Sequence, residues 1–238
     1  DFIDTRTVAM DDHLVLGSGD DTVYAGGGND YIDAGTGTAV ILAGEGNDYV
    51  ITQEGNDLID LSSGSDTLSA GSGNDTISLM VGGTDIVDGG SGTDTLSLDL
   101  GELNFASRAR IYWQGKDATG QDVAAVDASS TFELIESYVN TAKTNILTVT
   151  ADLYNIPLTI FSTATFNDIE ILSLSASTAA DSDDLIFSRG IGNYDGKGGN
   201  DALYTDLSAA NTAIEFVAGS GITYNYLGST FANFERYL

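Results

Sequence analysis

Aspartate recurs in this chain at a spacing that could hold a hard cation. Asp21, Asp30, Asp48, Asp57, Asp66, Asp75, Asp85 and Asp94 keep a register of about nine residues, and Ala39 stands in the one position of that series without a carboxylate. Carboxylates brought side by side are the donors a hard divalent ion requires, since it takes about six to eight oxygens. Catalysis by the same residue types is less favoured. His13 is the only histidine, so neither an H-E-x-x-H zinc site nor a triad with more than one imidazole can be assembled. No G-x-S-x-G elbow and no G-x-x-x-x-G-K-[ST] phosphate loop occurs. Carboxylate pairs abound, but cation ligation accounts for them before glycosidase chemistry is needed, and the chain is expected not to be an enzyme.

Charge sharpens the point. Among 238 residues, 36 are acidic and 8 basic, a formal net charge of -28. Residues 1–100 hold 19 of the acidic residues against a single basic one, Arg6. A folded domain with so much uncompensated charge repels itself, so a cation is missing from the sequence; calcium or a basic partner fits. Nucleic acid does not, because phosphate contacts need clustered Lys and Arg. No apolar run approaches the roughly 18 residues of a membrane helix, so no membrane insertion is expected. The opening DFIDTRTVAMDD lacks the layout of a signal peptide. The absence of cysteine removes disulfides and thiolate metal sites.

The elements that position the aspartates are legible as a repeat. Gly19, Gly28, Gly37, Gly46, Gly55, Gly64 and Gly73 recur every nine residues, and one extra residue then moves the series to Gly83 and Gly92. Two residues before most of them stands another glycine: Gly17, Gly26, Gly35, Gly44, Gly71 and Gly90, with Gln53 and Ser62 as replacements. Four residues after the first series lies Val23, Ile32, Ile41, Val50, Ile59, Leu68, Ile77, Val87 and Leu96. The two glycines of a unit permit positive φ and close backbone stacking. Asp20, Asn29, Asn47, Asn56 and Asn74, between glycine and aspartate, are residue types that tolerate left-handed conformations. Each unit therefore reads as a turn of about six residues and a strand of three whose central aliphatic points inward. Two units make one coil of a right-handed parallel β-roll, with strands on opposite walls and coils about 4.8 Å apart.

Residues 16–97 so arranged resemble the RTX (repeats-in-toxin) family, whose nonapeptide GGxGxDxUx is a calcium-binding β-roll motif, named as such among known repeats. The first position here is Ala or another small or apolar residue more often than Gly. The resemblance implies Ca2+, roughly 5 to 9 ions, lying between turns and held by aspartates 18 residues apart and by carbonyls of the glycine loops. On one side the series runs Asp12, Asp30, Asp48, Asp66, Asp85, with Asp12 and Leu14 as a degenerate first unit. On the other it runs Asp21, Ala39, Asp57, Asp75, Asp94, so calcium is expected to be weak or absent where Ala39 participates. The extra residue near Met80–Gly82 is expected to distort the Asp66 to Asp85 and Asp75 to Asp94 pairs. The resemblance further implies a secreted or cell-surface bacterial protein, an adhesin, surface-layer protein or exoenzyme, exported unfolded by a one-step channel. The chain begins and ends as if excised from a longer one, so other domains of the parent chain are expected partners.

Two domains are expected, the roll at 1–100 and a β-rich elaborated roll at 101–238, so that the chain as a whole is all-β. The second carries T-F-x-x-φ-E three times, at 131–136, 165–170 and 230–235, read as strands re-entering the roll. A further RTX-like unit lies near 181–204, where calcium could meet Asp184, Asp195, Gly199 or Asp201; a solvated turn is the alternative. Tyr112, Trp113, Tyr224 and Tyr226 could form an aromatic platform for a surface glycan or a partner, or simply pack the wider β layers.

Overall fold

The computed structural model describes residues 1–80, 82–99, 109–126, 138, 144–151, 159–167, 171–175, 185–187, 193–195, 201–204, 223–226, 229–232, 234 and 236–237. The described residues are almost entirely β-strand and turn, and form two compact units. Asp1–Leu98 with Ser162–Ile171 make the first; Asp99–Phe161 with Leu172–Leu238 make the second.

The first unit is a parallel β-solenoid of about five coils. One wall stacks β1 (Phe2–Asp4), β3 (Asp21–Gly27), β5 (Ala39–Glu45), β7 (Leu58–Asp60), β10 (Thr76–Met80) and β13 (Thr95–Asp99) in that order. The other stacks β2 (His13–Val15), β4 (Tyr31–Thr36), β6 (Tyr49–Glu54), β8 (Thr67–Ser69) and β11 (Gly83–Asp88). Short pieces β9 (Ser72–Gly73) and β12 (Ser91–Gly92) bridge the turns. Register follows the repeat: Val23 opposes Ile41, Ile41 opposes Ile59, and Val50 opposes Leu68. Every member of the aliphatic series is buried. The degenerate first unit takes its place, with Leu14 opposite Ile32.

Three features go beyond the nonapeptide as read. β3 to β6 run six or seven residues instead of three, and the first-position side chains Ala25, Ala34, Ala43 and Thr52 also turn inward and are buried. A further strand, β1, lies beside β3 with Phe2 opposite Thr22, an offset of 20 residues that a nine-residue template skips. Outside the wall, His13, Tyr31 and Tyr49 stack ring on ring, with centroids 4.6 and 5.7 Å apart. Residues 18 apart on a parallel wall sit one above the other, so equal ring types in register form a stack that adds to the stability of the coil interface.

Thr165–Asn167, the described part of the T-F-x-x-φ-E stretch at 165–170, does return to the roll. Ser162–Asn167 of β17 (Thr159–Asn167) pairs in parallel with Gly83–Asp88, placing Phe166 opposite Val87. The stretch at 131–136 lies outside the described residues. In the second unit β14 (Ala109–Lys116) pairs antiparallel with β15 (Asp122–Val126) and β16 (Thr144–Ala151). Asp117 nucleates the β14–β15 turn by accepting from the Thr119 and Gln121 amides, and Gly120 supplies the positive φ. β18 (Ile171–Ser175), β20 (Asn193–Asp195) and β23 (Ser229–Ala232) run parallel, with β22 (Thr223–Tyr226) antiparallel beside β23. A third small sheet joins β19 (Leu185–Phe187), β21 (Ala202–Tyr204) and β24 (Arg236–Tyr237).

Candidate metal centre

The turns place carboxylates where water cannot reach them. Asp21, Asp30, Asp48, Asp57, Asp66, Asp75, Asp85 and Asp94 are at most 3% exposed, and Asp21 Oδ1 meets the Asp1 terminal ammonium. One oxygen of each from Asp30 onward accepts a backbone amide of the coil before it. The Asp30 amide donates to Asp48 Oδ1 at 2.8 Å, the Asp48 amide to Asp66 Oδ1 at 2.9 Å, and the Asp57 amide to Asp75 Oδ1 at 2.8 Å. Asp12 joins by donating to Asp30 Oδ1 at 2.8 Å, so its membership of the series is structural. The other oxygens, Oδ2 of Asp12, Asp21, Asp30, Asp48, Asp57, Asp66, Asp75 and Asp85, are buried without a hydrogen-bond partner. An ionised carboxylate so left costs several kcal/mol (about 1–3 or more for the lost bond alone), which a bound cation would offset.

The residue between glycine and aspartate forms a second ladder with the opposite sense. Asn47 donates its amide to Asn29 Oδ1 at 2.8 Å, Ser65 to Asn47 Oδ1 at 2.9 Å, and Asn74 to Asn56 Oδ1 at 2.7 Å. In the aspartate ladder a coil donates to the side chain of the next one, whereas here it donates to the side chain of the one before. The expectation of left-handed backbone at these positions is overturned: among the described non-glycine residues only Ser62 has positive φ. Cross-coil amide capture, a use of Asn and Asp as side-chain acceptors, is what selects them.

The glycines make the close approach possible. Gly17, Gly26, Gly35, Gly44, Gly71 and Gly90, and Gly19, Gly28, Gly37, Gly46, Gly55, Gly64, Gly73, Gly83 and Gly92, all have positive φ. At Gly64 a Cβ would land on the Gly46 carbonyl oxygen and within 3.0 Å of Asp66 Oδ1, so the turn leaves room only for backbone oxygen and carboxylate. Ser62 adopts φ 58 in a glycine position, and its amide is held by Asp60 Oδ1 at 2.9 Å. The inserted residue does not distort the downstream pairs, contrary to expectation. Asp66 donates to Asp85 Oδ1 at 2.9 Å and Asp75 to Asp94 Oδ1 at 2.8 Å, matching the regular pairs. The turn through Gly82 and Gly83, both at positive φ, takes up the extra length instead.

The donor set suits calcium. Among the described residues no three His, Cys, Asp or Glu side chains gather at one point, so a carboxylate-only cage is absent. A site here combines aspartate oxygens with carbonyls of stacked glycines, the hard-oxygen mixture that calcium accepts. The model of the RTX calcium-binding nonapeptide repeat (4 copies) matches residues 8–41, 42–77 and 82–101. Residues 8–101 are RTX calcium-binding repeats. No curated protein matches the chain. The matched segment ends at residue 101, and the second unit begins at Asp99.

Outside the RTX segment the candidates divide. Asp201 is fully buried, preceding β21, and Asp195 closes β20, whereas Asp184 and Gly199 lie outside the described residues. Trp113 is 1% exposed, which fits the packing alternative and not a surface platform: its ring belongs to the interior. Tyr224 and Tyr226 sit on β22 opposite Phe231 and Ser229, and Tyr112 opposes Thr148 on β16.

Burial also moves the titration of the RTX carboxylates. Desolvation, helped by the Asp48 and Asp85 charges and opposed by the Asp48 amide, lifts Asp66 to about 7. Asp75 and Asp85 rise to about 6, and Asp30 and Asp48 also rise, each chiefly by burial. A folded pKa above the unfolded 3.8 means that the ion-free fold binds extra protons between that value and about 7. Stability of the ion-free roll is thus lost as pH rises through this window. In chelator, far-UV circular dichroism is expected to show more β-structure at pH 5 than at pH 7.5, whereas calcium affinity falls over the same descent because protons compete. Equal or lower ion-free β content at pH 5 would contradict the assignment.

Proposed function

We propose that the chain is a non-catalytic calcium-binding part of a secreted protein, and that its RTX segment folds as ions bind. The observation that carries this reading is the row of buried aspartates Asp30, Asp48, Asp57, Asp66, Asp75 and Asp85, each with one oxygen on the neighbouring coil's amide and one oxygen without a hydrogen bond. Bound calcium supplies positive charge and oxygen coordination at these atoms. The chain's own residues do the rest. The glycines hold carbonyls of successive turns in contact, the aspartates present oxygen between them, and the aliphatic row closes the core once the turns are stacked. Without cations the carboxylates repel, and the stacked state is disfavoured. Affinities of about 10⁻⁴ to 10⁻³ M, typical of extracellular calcium modules, would keep the segment open inside a cell and closed outside it. The matching residues being of RTX type supports export, since such repeats are typical of secreted bacterial proteins.

The test is a calcium titration of the chelated chain at pH 7.5 followed by circular dichroism, with bound ions counted by atomic emission. A cooperative gain of β signal with several ions bound is expected. A full β signal in chelator, unchanged by calcium, would defeat the reading.

A further inference from the structure

The aspartate ladder has a direction, and this localises the effect of Ala39 to one coil junction. Each ladder carboxylate reaches back to accept from the coil before it: Asp48 from Asp30, Asp75 from Asp57, and Asp57 from Ala39 itself at 2.8 Å. The carboxylate missing at residue 39 is therefore the one that would reach back to Asp21. There the Asp21 amide donates instead to the Thr38 carbonyl at 3.0 Å. The Ala39 methyl is 2% exposed and leaves no orphan oxygen. The same junction is extensively paired, with six register pairs between β3 and β5 from Asp21–Ala39 to Gly27–Glu45, where β4–β6 has five and β5–β7, β7–β10 and β6–β8 have three each. Val23, Ala25, Ile41 and Ala43 close it from inside, all at most 2% exposed.

We propose that the β3–β5 junction is a cation-independent seam, the part of the roll that forms first and opens last as calcium is added or withdrawn. The stretch β3–β4–β5 is one coil whose return strand brings Ala39 onto Asp21, so its closure stacks no carboxylate against another. Every other junction on either wall from Asp12 to Asp94 carries a buried ladder carboxylate across it. Ion loss opens those, and the seam holds the two halves of the array in register until they refill. A single coil is too small to persist as an isolated fold, so the seam shows as graded protection and not as a separate domain. The proposal rests on the calcium reading above.

Hydrogen exchange of the full chain, read by mass spectrometry while calcium is withdrawn stepwise, tests it. Amides 22–27 and 40–45 are expected to exchange at least about tenfold more slowly than 58–61 and 76–80 at intermediate calcium, equivalent to about 1.4 kcal/mol of local stability. Ala39→Asp should erase that difference and add bound calcium at saturation. Asp75→Ala should create similar protection at the β7–β10 junction, which keeps the test open should the first variant fold poorly. Uniform exchange across the four segments in a chain that still binds calcium overturns the seam alone, as does an order that neither variant changes. A chain indifferent to calcium overturns the seam and the calcium reading together.

Discussion

Gly73→Ala is expected to abolish stacking of the coils around it, at a cost of more than about 4 kcal/mol, in the range reserved for severe steric or backbone conflicts. Gly73 sits at φ +144, and an added Cβ would land on the carbonyl oxygen of Gly55, one coil back, with Asn56 Oδ1 3.2 Å away. Neither neighbour can yield. The Gly55 carbonyl belongs to a stacked turn, and Asn56 Oδ1 already accepts from the Asn74 amide. Relief would require the two coils to part, which undoes the aspartate ladder and exposes the Ile59–Ile77 contact in the core. Gly19→Ala is the matched comparison. That glycine also has positive φ, +119, but nothing lies within 4 Å of its absent Cβ, so only backbone strain of about 1–3 kcal/mol applies. Denaturant unfolding of both variants in saturating calcium should separate them by several kcal/mol. Equal destabilisation would mean that positive φ, and not the approach of the coils, selects glycine.

Asp66→Asn should change stability in opposite directions with and without calcium. Asp66 receives the Asp48 amide and passes its own amide to Asp85, so it is a middle rung of the unbroken wall. Burial holds it at about 7, the highest value among the shifted aspartates for which a value is resolved. Asparagine keeps an acceptor for the Asp48 amide and removes the charge. In chelator at pH 7.5 the variant should therefore be more folded than the wild type, and its β content should depend less on pH. In calcium it should bind fewer ions and require more calcium to reach the folded signal, because a neutral amide oxygen replaces a carboxylate in the donor set. A variant that matches wild type in calcium stoichiometry and midpoint would remove Asp66 from the metal centre.

The repeat unit, its two walls and the aspartate series could be read from residue spacing because each of those positions does one job throughout. Aliphatics at Val23, Ile32 and Ile41 fill a core of constant width, and glycines at Gly46 and Gly64 meet the same carbonyl one coil back. What was hidden had mixed chemistry. Ala25, Thr52, Leu61 and Ala70 share one inward position, yet only the size of the local core unites them. The asparagine ladder was concealed by its residue type, since Asn29 and Asn47 suit both a left-handed turn and a cross-coil acceptor. Only the backbone angles and the Asn47–Asn29 bond distinguish these roles. β1 was missed because its offset from β3 is 20 residues. Trp113 was left open between a platform and packing for a further reason: composition tells that an aromatic is present but not which face of its strand is covered, and here it is buried.

The opposed ladders also bear on how such a chain can change length over evolutionary time. Each coil offers the one after it the complement of what it offers the one before it, an aspartate amide and an asparagine oxygen forward and an aspartate oxygen and an asparagine amide back. Gain or loss of one pair of units in the coding sequence would therefore join surfaces that already match. Changes in steps of one coil cost no new interface, whereas a shift of a single residue has to be absorbed in a turn, as Gly82 and Gly83 absorb it here. The array is a part whose copy number can vary while its joints stay the same.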